Sequence, residues 1–475
     1  MNKRIIAYLF CIFPIFMLFS QEETNLSGNN VLSFEEYIAY VKKHHPVIKQ
    51  ANLVLNTGEA YLLKARGGFD PKLEIDYSNK EFKDLEYYDL LSATFKIPTW
   101  FGVEFKANFE ENSGVFLNPQ NSVPDDGLYA AGVKVSALEG FLINDRMASL
   151  KKGRLFIEQT KAERDYLVNE LLYEATKAYF EWVKAVNEQQ IYTDFLLNAD
   201  KRFKAIKRNV ETGENAAIDS TEAKIIVQNR NLEIEVAKLS QTEKRLKASN
   251  YLWLNGIPLE LQPSVVPSLP NKLLLSSSSE IKNLIETQFN IEQHPKIQSL
   301  NYKVKSLEVD KRLKTNKLLP KLDLEFNFIS ATPRETSTFN SDEYKASVSF
   351  KTPLLLRKER GELRLSKYKL QDANLEQMNM QLALQNKVNL GYNEISSLDK
   401  QYAIIQEMVI NYKKLVKASE RKFFIGESSL LAINLYERKL IDAHLKENST
   451  QIKLLATRAK LFSATGFMQL FISQP

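Results

Sequence analysis

The chain has 475 residues, of which only 16 are glycine and 15 proline. Hydrophobic residues make up 44% and charged residues 26%, a composition that excludes both a disordered chain and a helical membrane protein. The small number of glycines and prolines favours long, uninterrupted secondary-structure elements.

The N-terminus has the pattern of a secretory signal. Lys3 and Arg4 precede the apolar run 5–19, and polar residues follow Ser20. The run contains Pro14 and is shorter than the roughly 20 residues of a membrane-spanning helix. We therefore expect a signal peptide that is cleaved near Ser20.

Removal of residues 1–20 would lower the formal net charge from +6 to +4, because this segment holds two basic residues and no acidic one. So small an excess indicates no nucleic-acid partner. The single cysteine, Cys11, lies in the same segment, so no disulfide is expected in the mature chain. No later segment reaches 18 apolar residues, and insertion into a membrane would therefore need strands.

The sequence contains an internal repeat. His45-Pro46 recurs as His294-Pro295, and Pro71-Lys72-Leu73 recurs as Pro320-Lys321-Leu322, both 249 residues later. The equal offsets show that the spacing between these landmarks is the same in both halves. We interpret the chain as a duplicated domain.

A second pair of landmarks lies further along each half. Gly213-Glu214 recurs as Gly426-Glu427 at an offset of only 213, so the first half holds about 36 additional residues before this point. We divide the chain into a signal peptide (1–20), a first repeat (21–257), a linker (258–280) and a second repeat (281–475).

Each half contains a heptad pattern of apolar residues that predicts a very long helix. The pattern runs over 171–210 and 395–423, ending three residues before the matched glycine. Proline-free helical sequence extends this to about 145–212 and 358–425, or about 100 Å for each helix at ~1.5 Å per residue.

The helical pattern resumes after each glycine, to about Leu254 and Ala464. Each half is therefore predicted to form a long α-helical hairpin with a Gly-Glu turn. Two further helices are predicted over about 34–66 and 280–318.

Between the helices the apolar period changes to two, which predicts strands with one apolar and one polar face. These strands lie at about 72–78, 129–137, 321–328 and 344–350. A soluble sheet with one wet face has the same period. Export, strand lengths near ten residues and aromatic-rich apolar faces favour a barrel with lipid outside and water inside.

The additional residues of the first half predict two more strands, at 91–97 and 103–109. They are joined through Pro98 to Gly102 and have the pattern of an added hairpin. Alternation alone does not decide whether this hairpin joins the barrel wall or stands outside the membrane.

With its signal peptide, duplicated chain, strand pairs and two helical hairpins, the sequence resembles the TolC-like outer membrane efflux protein family. The most specific features are the paired His-Pro and Pro-Lys-Leu landmarks and the turns Thr212-Gly213-Glu214 and Ile425-Gly426-Glu427. The resemblance implies a mainly α fold with a membrane β-barrel, in which a homotrimer forms twelve strands above a periplasmic helical tunnel. Eighteen strands would result if the added hairpin entered the wall.

The resemblance also implies an outer-membrane channel of a Gram-negative cell, surrounded by outer membrane lipids. Such a channel is the passive exit duct of a tripartite efflux or type I secretion system, coupled to an inner-membrane pump through a periplasmic adaptor. The adaptor would dock at the hairpin tips, which makes Gly213, Glu214, Gly426 and Glu427 candidates for that contact. Simple capping of the helices is the alternative role of these residues. The sequence does not distinguish drug efflux, metal efflux and protein secretion.

The family narrows its tip with acidic side chains about two turns past the second-half glycine, where this chain has Ala432 and Leu435. Acids occupy the matching offsets of the first half, as Asp219 and Glu222. A threefold ring of these carboxylates would favour cations, so they are candidates for the pore constriction. A solvated helix face is the alternative.

Basic clusters follow the last strand of each half. They could face anionic lipid headgroups, or simply be exposed starts of helices. Their members are Arg146, Lys151, Lys152 and Arg154 in the first half, and Arg357, Lys358, Arg360 and Arg364 in the second.

Catalytic and metal-binding motifs are sparse. The four histidines form no HExxH pattern, and the sequence has no Gly-rich phosphate loop and no GxSxG motif. We expect no enzymatic activity, no cofactor and no metal site. The alternative to a channel is a structural or adhesive coiled-coil protein of the envelope, which would not account for strand pairs placed alike in both halves.

Overall fold

The computed structural model describes residues 31–269, 289–332 and 342–468, together with Asn283 and Thr287. The expected signal peptide and residues 270–280 of the expected linker lie outside this part of the chain. Within it, long helices support one six-stranded sheet.

Seven main helices are found among the described residues, and none combines the length and apolar content of a membrane-spanning helix. They are α1 (Phe34–His44), α2 (Pro46–Arg66), α3 (Asp145–Glu211), α4 (Ala217–Ser249), α5 (Pro295–Asn316), α6 (Arg357–Phe424) and α7 (Leu430–Thr465).

The two long helices predicted from the heptad patterns are confirmed. Helices α3 and α6 have 67 and 68 residues, and each forms a hairpin with the helix that follows it. Predicted heptad residues such as Trp182, Ile206 and Ile405 are buried in the contacts between helices. At ~1.5 Å per residue both helices are about 100 Å long.

The helical stretch predicted over 34–66 is confirmed, and it forms two helices, α1 and α2, with a break at His45. The Nδ1 atom of His45 accepts a hydrogen bond of 3.2 Å from the Val47 N–H, and Pro46 takes the first helical position. His294 caps α5 in the same way, accepting from the Lys296 N–H at 3.2 Å. Proline suits this position because its missing N–H would have no helical partner. The repeated His-Pro pairs are thus helix starts.

The return helices end close to the predicted positions. Helix α7 ends at Thr465, one residue beyond the expected Ala464, with Gly466 in the left-handed region at φ +80°. Helix α4 ends at Ser249, five residues before the expected Leu254. Asn255 and Gly256 then turn the chain, with φ of +52° and +88°. This turn joins two short strands, Trp253–Leu254 and Ile257–Pro258.

The strands of the sheet are β1 (Lys72–Glu81), β2 (Glu86–Pro98), β3 (Val103–Ser113), β4 (Leu128–Leu138), β5 (Lys321–Ser330) and β6 (Tyr344–Lys351). They form an antiparallel meander in chain order, β6-β5-β4-β3-β2-β1. Strand β4 of the first half pairs with β5 of the second half, so the two halves share one sheet. The predicted added hairpin is β2 and β3, and it lies inside this sheet between β1 and β4.

The largest core lies where α1 packs against the middle of α3. Phe34 stacks on Phe180 with ring centroids 5.3 Å apart, and the Tyr37 hydroxyl donates to the Ala248 carbonyl at 2.9 Å. Trp182 is fully buried in the same cluster. This core fixes the start of the first half against the long hairpins.

Candidate functional site: hairpin tips and sheet faces

The two hairpin tips have the same backbone geometry. Gly213 and Gly426 have φ of +84° and +78°, and their N–H groups donate to the carbonyls of Val210 and Phe423, each at 3.1 Å. Glycine adopts this left-handed conformation without the strain that a Cβ atom causes. The tips therefore end α3 and α6 with identical turns.

The glutamates after these glycines complete the turns. The N–H of Glu214 donates to the Asn209 carbonyl and that of Glu427 to the Lys422 carbonyl, both at 2.8 Å. Together with the glycine bonds, these six-to-one contacts make a Schellman motif at each tip. Both glutamate side chains are exposed, so the same residues cap the helix with their backbone and present a carboxylate to solvent.

The tips lie beside each other. A buried apolar cluster joins the ends of α3, α4, α6 and α7, which ties the first hairpin to the second. Its buried members are Ile206, Ala223 and Leu430, with Phe203, Val210 and Phe423 packed against them.

An ion cluster one to two helical turns above these apolar residues also joins the halves. Arg202 of α3 donates to both carboxylate oxygens of Glu437 in α7, at 3.2 and 3.0 Å, and to Glu420 of α6 at 3.1 Å. Arg230 of α4 lies 3.9 Å from Glu437, which is only 1% exposed. We call Arg202, Arg230, Glu420 and Glu437 the tip ion cluster.

The tip ion cluster was not predicted from the sequence. Burial lowers the pKa of Arg202, but the carboxylates of Glu437 and Glu420 outweigh it and hold that pKa above its ordinary value. The only sequence signal is the position of Arg202 directly beside Phe203 of the heptad pattern. Its partners lie more than 200 residues away along the chain, and no local pattern identifies them.

The candidate constriction residues are half-buried on the first turns of α4. Asp219 accepts a hydrogen bond from Asn215 at 3.1 Å, within its own turn. Glu222 accepts from Asn434 of α7, also at 3.1 Å. The two carboxylates therefore have different partners within one chain, and only Glu222 links the two hairpins.

A cavity of about 550 Å³ opens between α3, α6 and α7 just above the tips. It combines an apolar side formed by phenylalanines with a basic side. The lining residues that define these two sides are Phe195, Phe423, Lys201, Lys413 and Lys417.

The two faces of the sheet differ in polarity and in exposure. Phe105 and Phe326 of the apolar face are 50% and 40% exposed, whereas the side chains of Lys106 and Glu325 on the polar face are only 16% and 23% exposed. In this comparison the polar side chains are the less exposed and the apolar ones the more exposed. We call the polar face the concave face and the apolar face the convex face. A water-soluble sheet would have the opposite arrangement, because its exposed face would be polar.

The two basic clusters after the strands differ. In the first, Arg146 lies 3.5 Å from Glu104 and Lys152 lies 3.4 Å from Asp310, so both basic groups have acidic partners. In the second, the basic residues are exposed and follow Leu354, which is 93% exposed. The second cluster therefore places cationic and apolar side chains together at the surface.

The described residues hold no group of three or more His, Cys, Asp or Glu side chains arranged to bind a metal ion. His45 and His294 serve as helix caps.

Comparison with known proteins gives one family. Residues 289–467 match the family model described as outer membrane efflux protein. No curated protein matches the chain.

Solved structures match almost the whole chain. The open state of the MtrE outer membrane channel of Neisseria gonorrhoeae is 15% identical, with a TM-score of 0.64, over 91% of this chain and 89% of that one. VceC of Vibrio cholerae is 11% identical, with a TM-score of 0.65, over 90% and 95%. The CmeC outer membrane channel of Campylobacter jejuni is 13% identical, with a TM-score of 0.61, over 91% and 85%.

These matches confirm the resemblance to the outer membrane efflux protein family and the predicted fold class. Both halves contribute to the shared fold, since the matched structures cover regions well beyond 289–467. Residues 289–467 thus match the outer membrane efflux protein family, and the chain as a whole shares the fold of the outer-membrane channels to which it is similar.

Proposed function

We propose that this chain is the subunit of an outer-membrane efflux channel, a passive exit duct in the outer membrane of a Gram-negative cell. The family match and the shared fold support this role and give no indication of an enzyme. In this proposal the sheet lies in the membrane and the helical hairpins form a tunnel in the periplasm. Transport energy would come from an inner-membrane pump coupled through a periplasmic adaptor.

The observation that carries the proposal is the convex apolar face of the sheet. It continues across all six strands, and five of them have 10 to 13 residues, close to the ~9–11 that cross a bilayer. In a barrel, the apolar convex face contacts lipid and the polar concave face contacts water, so both faces have a favourable environment.

Unpaired strand edges and exposed apolar helix faces of the single chain support a homotrimer. Strands β1 and β6 are unpaired edges of the described sheet, and a barrel removes such edges. Helix α4 carries exposed apolar residues at steps of seven, a pattern that packs against another helix. They are Ile218, Ile225, Leu232 and Leu239, each at least 50% exposed.

Helix α6 carries a second stripe of this kind on the other flank of the chain. Tyr368, Leu375 and Leu382 are also seven residues apart and 57–64% exposed. Within one chain α4 packs mainly on α3, and α6 packs on α5 and α7. In a trimer, the α4 stripe of one copy would face the α6 stripe of the next copy, and this contact would bury both stripes.

Single-channel conductance and oligomeric mass of the detergent-purified protein test the channel. We expect stable trimers that conduct ions in a planar bilayer. A monomer without conductance would contradict the proposal and favour a structural coiled-coil protein of the envelope. Leu232→Glu with Leu239→Glu should dissociate the trimer, whereas Asn231→Glu adds charge to the same helix away from the stripe and should not.

We further propose Gly213, Glu214, Gly426 and Glu427 as the adaptor contact. The exposed carboxylates on two rigid, adjacent turns support this role. Glu214→Lys with Glu427→Lys should abolish the export phenotype that is lost in a deletion strain, while leaving the trimer intact. Glu235→Lys, an exposed acid further along α4, is the control. Full export by the double variant would remove these residues from the contact.

Asp219 and Glu222 remain our candidates for the constriction. Their position next to the tips and their charge support this assignment. Replacing both with alanine should lower cation selectivity in the bilayer measurement. Glu235→Ala with Glu243→Ala removes the same charge from the same helix and should leave selectivity unchanged. Equal selectivity in all three proteins would assign the constriction to other residues.

A further inference from the structure

The added hairpin carries information beyond the general fold. We propose that β2 and β3 are part of the membrane wall, with lipid on one face and the duct on the other. Three copies of the six-stranded sheet then form an eighteen-stranded barrel. This inference rests on the proposed channel function and concerns the architecture of its exit.

Backbone pairing joins the hairpin to a strand on each side. Strand β2 pairs with β1 over ten residue pairs, from Lys72 with Lys96 to Glu81 with Glu86. Strand β3 pairs with β4 over eight pairs, from Val103 with Val135 to Glu110 with Leu128. If the hairpin left the sheet, β1 and β4 would both lose these partners. The hairpin is therefore a structural link between β1 and the rest of the sheet.

The apolar face also continues through the hairpin in the central rows of the sheet. Along one row, Ile97 pairs with Phe105, which pairs with Val133, which pairs with Phe326. All four side chains lie on the convex face because paired residues share a face of a sheet. Phe105 is 50% exposed there, so the added strands continue the surface that the proposed function assigns to lipid.

An ion pair that crosses β4 also connects the hairpin to the second half of the chain. Lys106 of β3 donates to both carboxylate oxygens of Glu325 in β5 at 3.0 Å, although β4 lies between them. The residue of β4 opposite Lys106 is Gly132. A Cβ atom at Gly132 would lie only 2.1 Å from the Phe326 carbonyl oxygen. Because Gly132 has no side chain, Lys106 can extend over β4 and reach Glu325 in the second half of the chain.

The turn between β2 and β3 has its own contacts with the rest of the chain. Trp100 stacks on Phe69, with centroids 5.8 Å apart, and packs against the buried cluster at the start of α3. The Ser136 N–H donates to the Gly102 carbonyl at 3.0 Å, and Asn144 donates to the Trp100 carbonyl at 3.3 Å. These contacts fix the turn at the junction of the sheet and the helices. A hairpin folded away from the wall would lose them.

An eighteen-stranded wall changes the size of the exit. Barrel diameter grows roughly in proportion to strand number, so the duct would be about one and a half times as wide as that of a twelve-stranded barrel. Strands β2 and β3 would add Thr94, Lys96, Lys106 and Asn108 to the water-facing surface.

Single cysteines introduced into the full chain carrying Cys11→Ala, which has no other thiol, test this inference. Ala93→Cys and Ala107→Cys lie on the convex face, whereas Thr94→Cys and Asn108→Cys lie on the concave one. Each variant is labelled with a fluorescent thiol probe and reconstituted into phosphatidylcholine vesicles that contain nitroxide-labelled lipid. Val133→Cys and Phe326→Cys are the controls, because they lie on the convex face of β4 and β5.

We expect lipid quenching at 93 and 107 to equal that at 133 and 326, and quenching at 94 and 108 to be at least several-fold weaker. Quenching at 133 and 326 but not at 93 and 107 would place the hairpin outside the membrane and overturn the inference while leaving the channel intact. Absence of quenching at all four convex positions would instead contradict the membrane barrel and with it the proposed function. All six substitutions lie at surface positions of the sheet, and trimer mass checks that each variant has assembled.

Discussion

In both halves of the chain a long helix ends on a left-handed glycine, and the return helix begins a few residues later. The beginnings of the long helices differ. Asn144 caps α3 by accepting from the Met147 N–H at 2.8 Å, whereas the residue before α6, Leu356, has φ of +49° and gives no side-chain cap. The first half also contributes four strands to the described six-stranded sheet and the second half two. The duplicated chain thus keeps its tips identical and varies the junction with the sheet.

This difference indicates where geometry is constrained. The two tips must lie side by side, joined by the tip ion cluster and the apolar cluster below it. The sheet has no such limit, because a meander accepts another hairpin without altering its neighbours. Variants that affect one half can test the comparison.

The largest effect is expected from breaking the contact between the halves. Arg202→Ala would leave Glu437 buried beside Arg230 alone, and loss of one partner of a buried ion pair costs about 3–5 kcal/mol. Chemical denaturation followed by helical circular dichroism would measure this loss. Lys238→Ala removes an exposed partner of Glu235 within the first half and should change stability little. Equal effects of the two variants would show that the cluster does not couple the hairpins.

Acid should affect the two His-Pro caps unequally. Burial, with Lys387 nearby, lowers the pKa of His294 to about 4, whereas an unfolded histidine titrates near pH ~6.5. The unfolded chain therefore binds more protons between these values. Stability is fully present above pH ~6.5 and falls by about 3 kcal/mol as pH drops toward ~4.

His294→Asn should remove this part of the acid sensitivity, because asparagine can accept the same cap bond without titrating in this range. His45→Asn should have a smaller effect, since His45 is only half-buried. Apparent melting temperatures of the three proteins at pH values across the window provide the measurement. An unchanged pH dependence in His294→Asn would refute the assignment.

The tips should respond alike. A Cβ atom at Gly213 or Gly426 meets no heavy atom within 4 Å, so alanine there should cost only the backbone strain of about 1–2 kcal/mol. Gly361 of α6 also has open space but lies within a helix, where alanine should stabilise by about 1 kcal/mol. Denaturant midpoints of the three variants would show whether the sign differs as expected. A large difference between Gly213→Ala and Gly426→Ala would mean that the tips have different surroundings.

The smallest effect should come from the helix starts. Asn144→Ala removes the cap of α3 and should cost about 1 kcal/mol. Leu356→Gly should instead stabilise by a comparable or smaller amount, because glycine accepts the left-handed backbone at the start of α6. The same denaturant measurement applies. A loss of stability in Leu356→Gly would indicate that the leucine side chain has a packing role.

Local pattern predicted most of the helices and strands. The heptads of α3 and α6 and the alternation of β1 and β4–β6 depend on neighbours along the chain, and both correspond to observed elements. The break at His45 was missed because the apolar pattern continues through it. Membership of the added hairpin in the sheet could not be predicted, since alternation specifies the faces of a strand and not its partners.

The candidate site was predictable to a similar extent. The repeated Gly-Glu pairs identified both tips, because a helix stop is a local event. The partner of Glu222 is Asn434, 212 residues away, and Arg202 depends on contacts equally distant in sequence. Such pairings follow from how the two hairpins pack, which no single stretch of sequence specifies.

The open edges of the sheet have a consequence for how the protein is made. Strand β1 is exposed along all ten of its residues, and its outer edge is unpaired in a single chain. A newly exported copy is therefore a template for wrong strand pairing with any extended chain nearby. Charges on β1, such as Lys72, Glu74 and Asp76, discourage flat stacking but do not close the edge. In the proposed trimer this edge closes on β6 of a neighbouring copy. Under that proposal, an escort in the periplasm would have to protect the strands until three copies meet at the bilayer, and copies that arrive singly should be degraded by proteases.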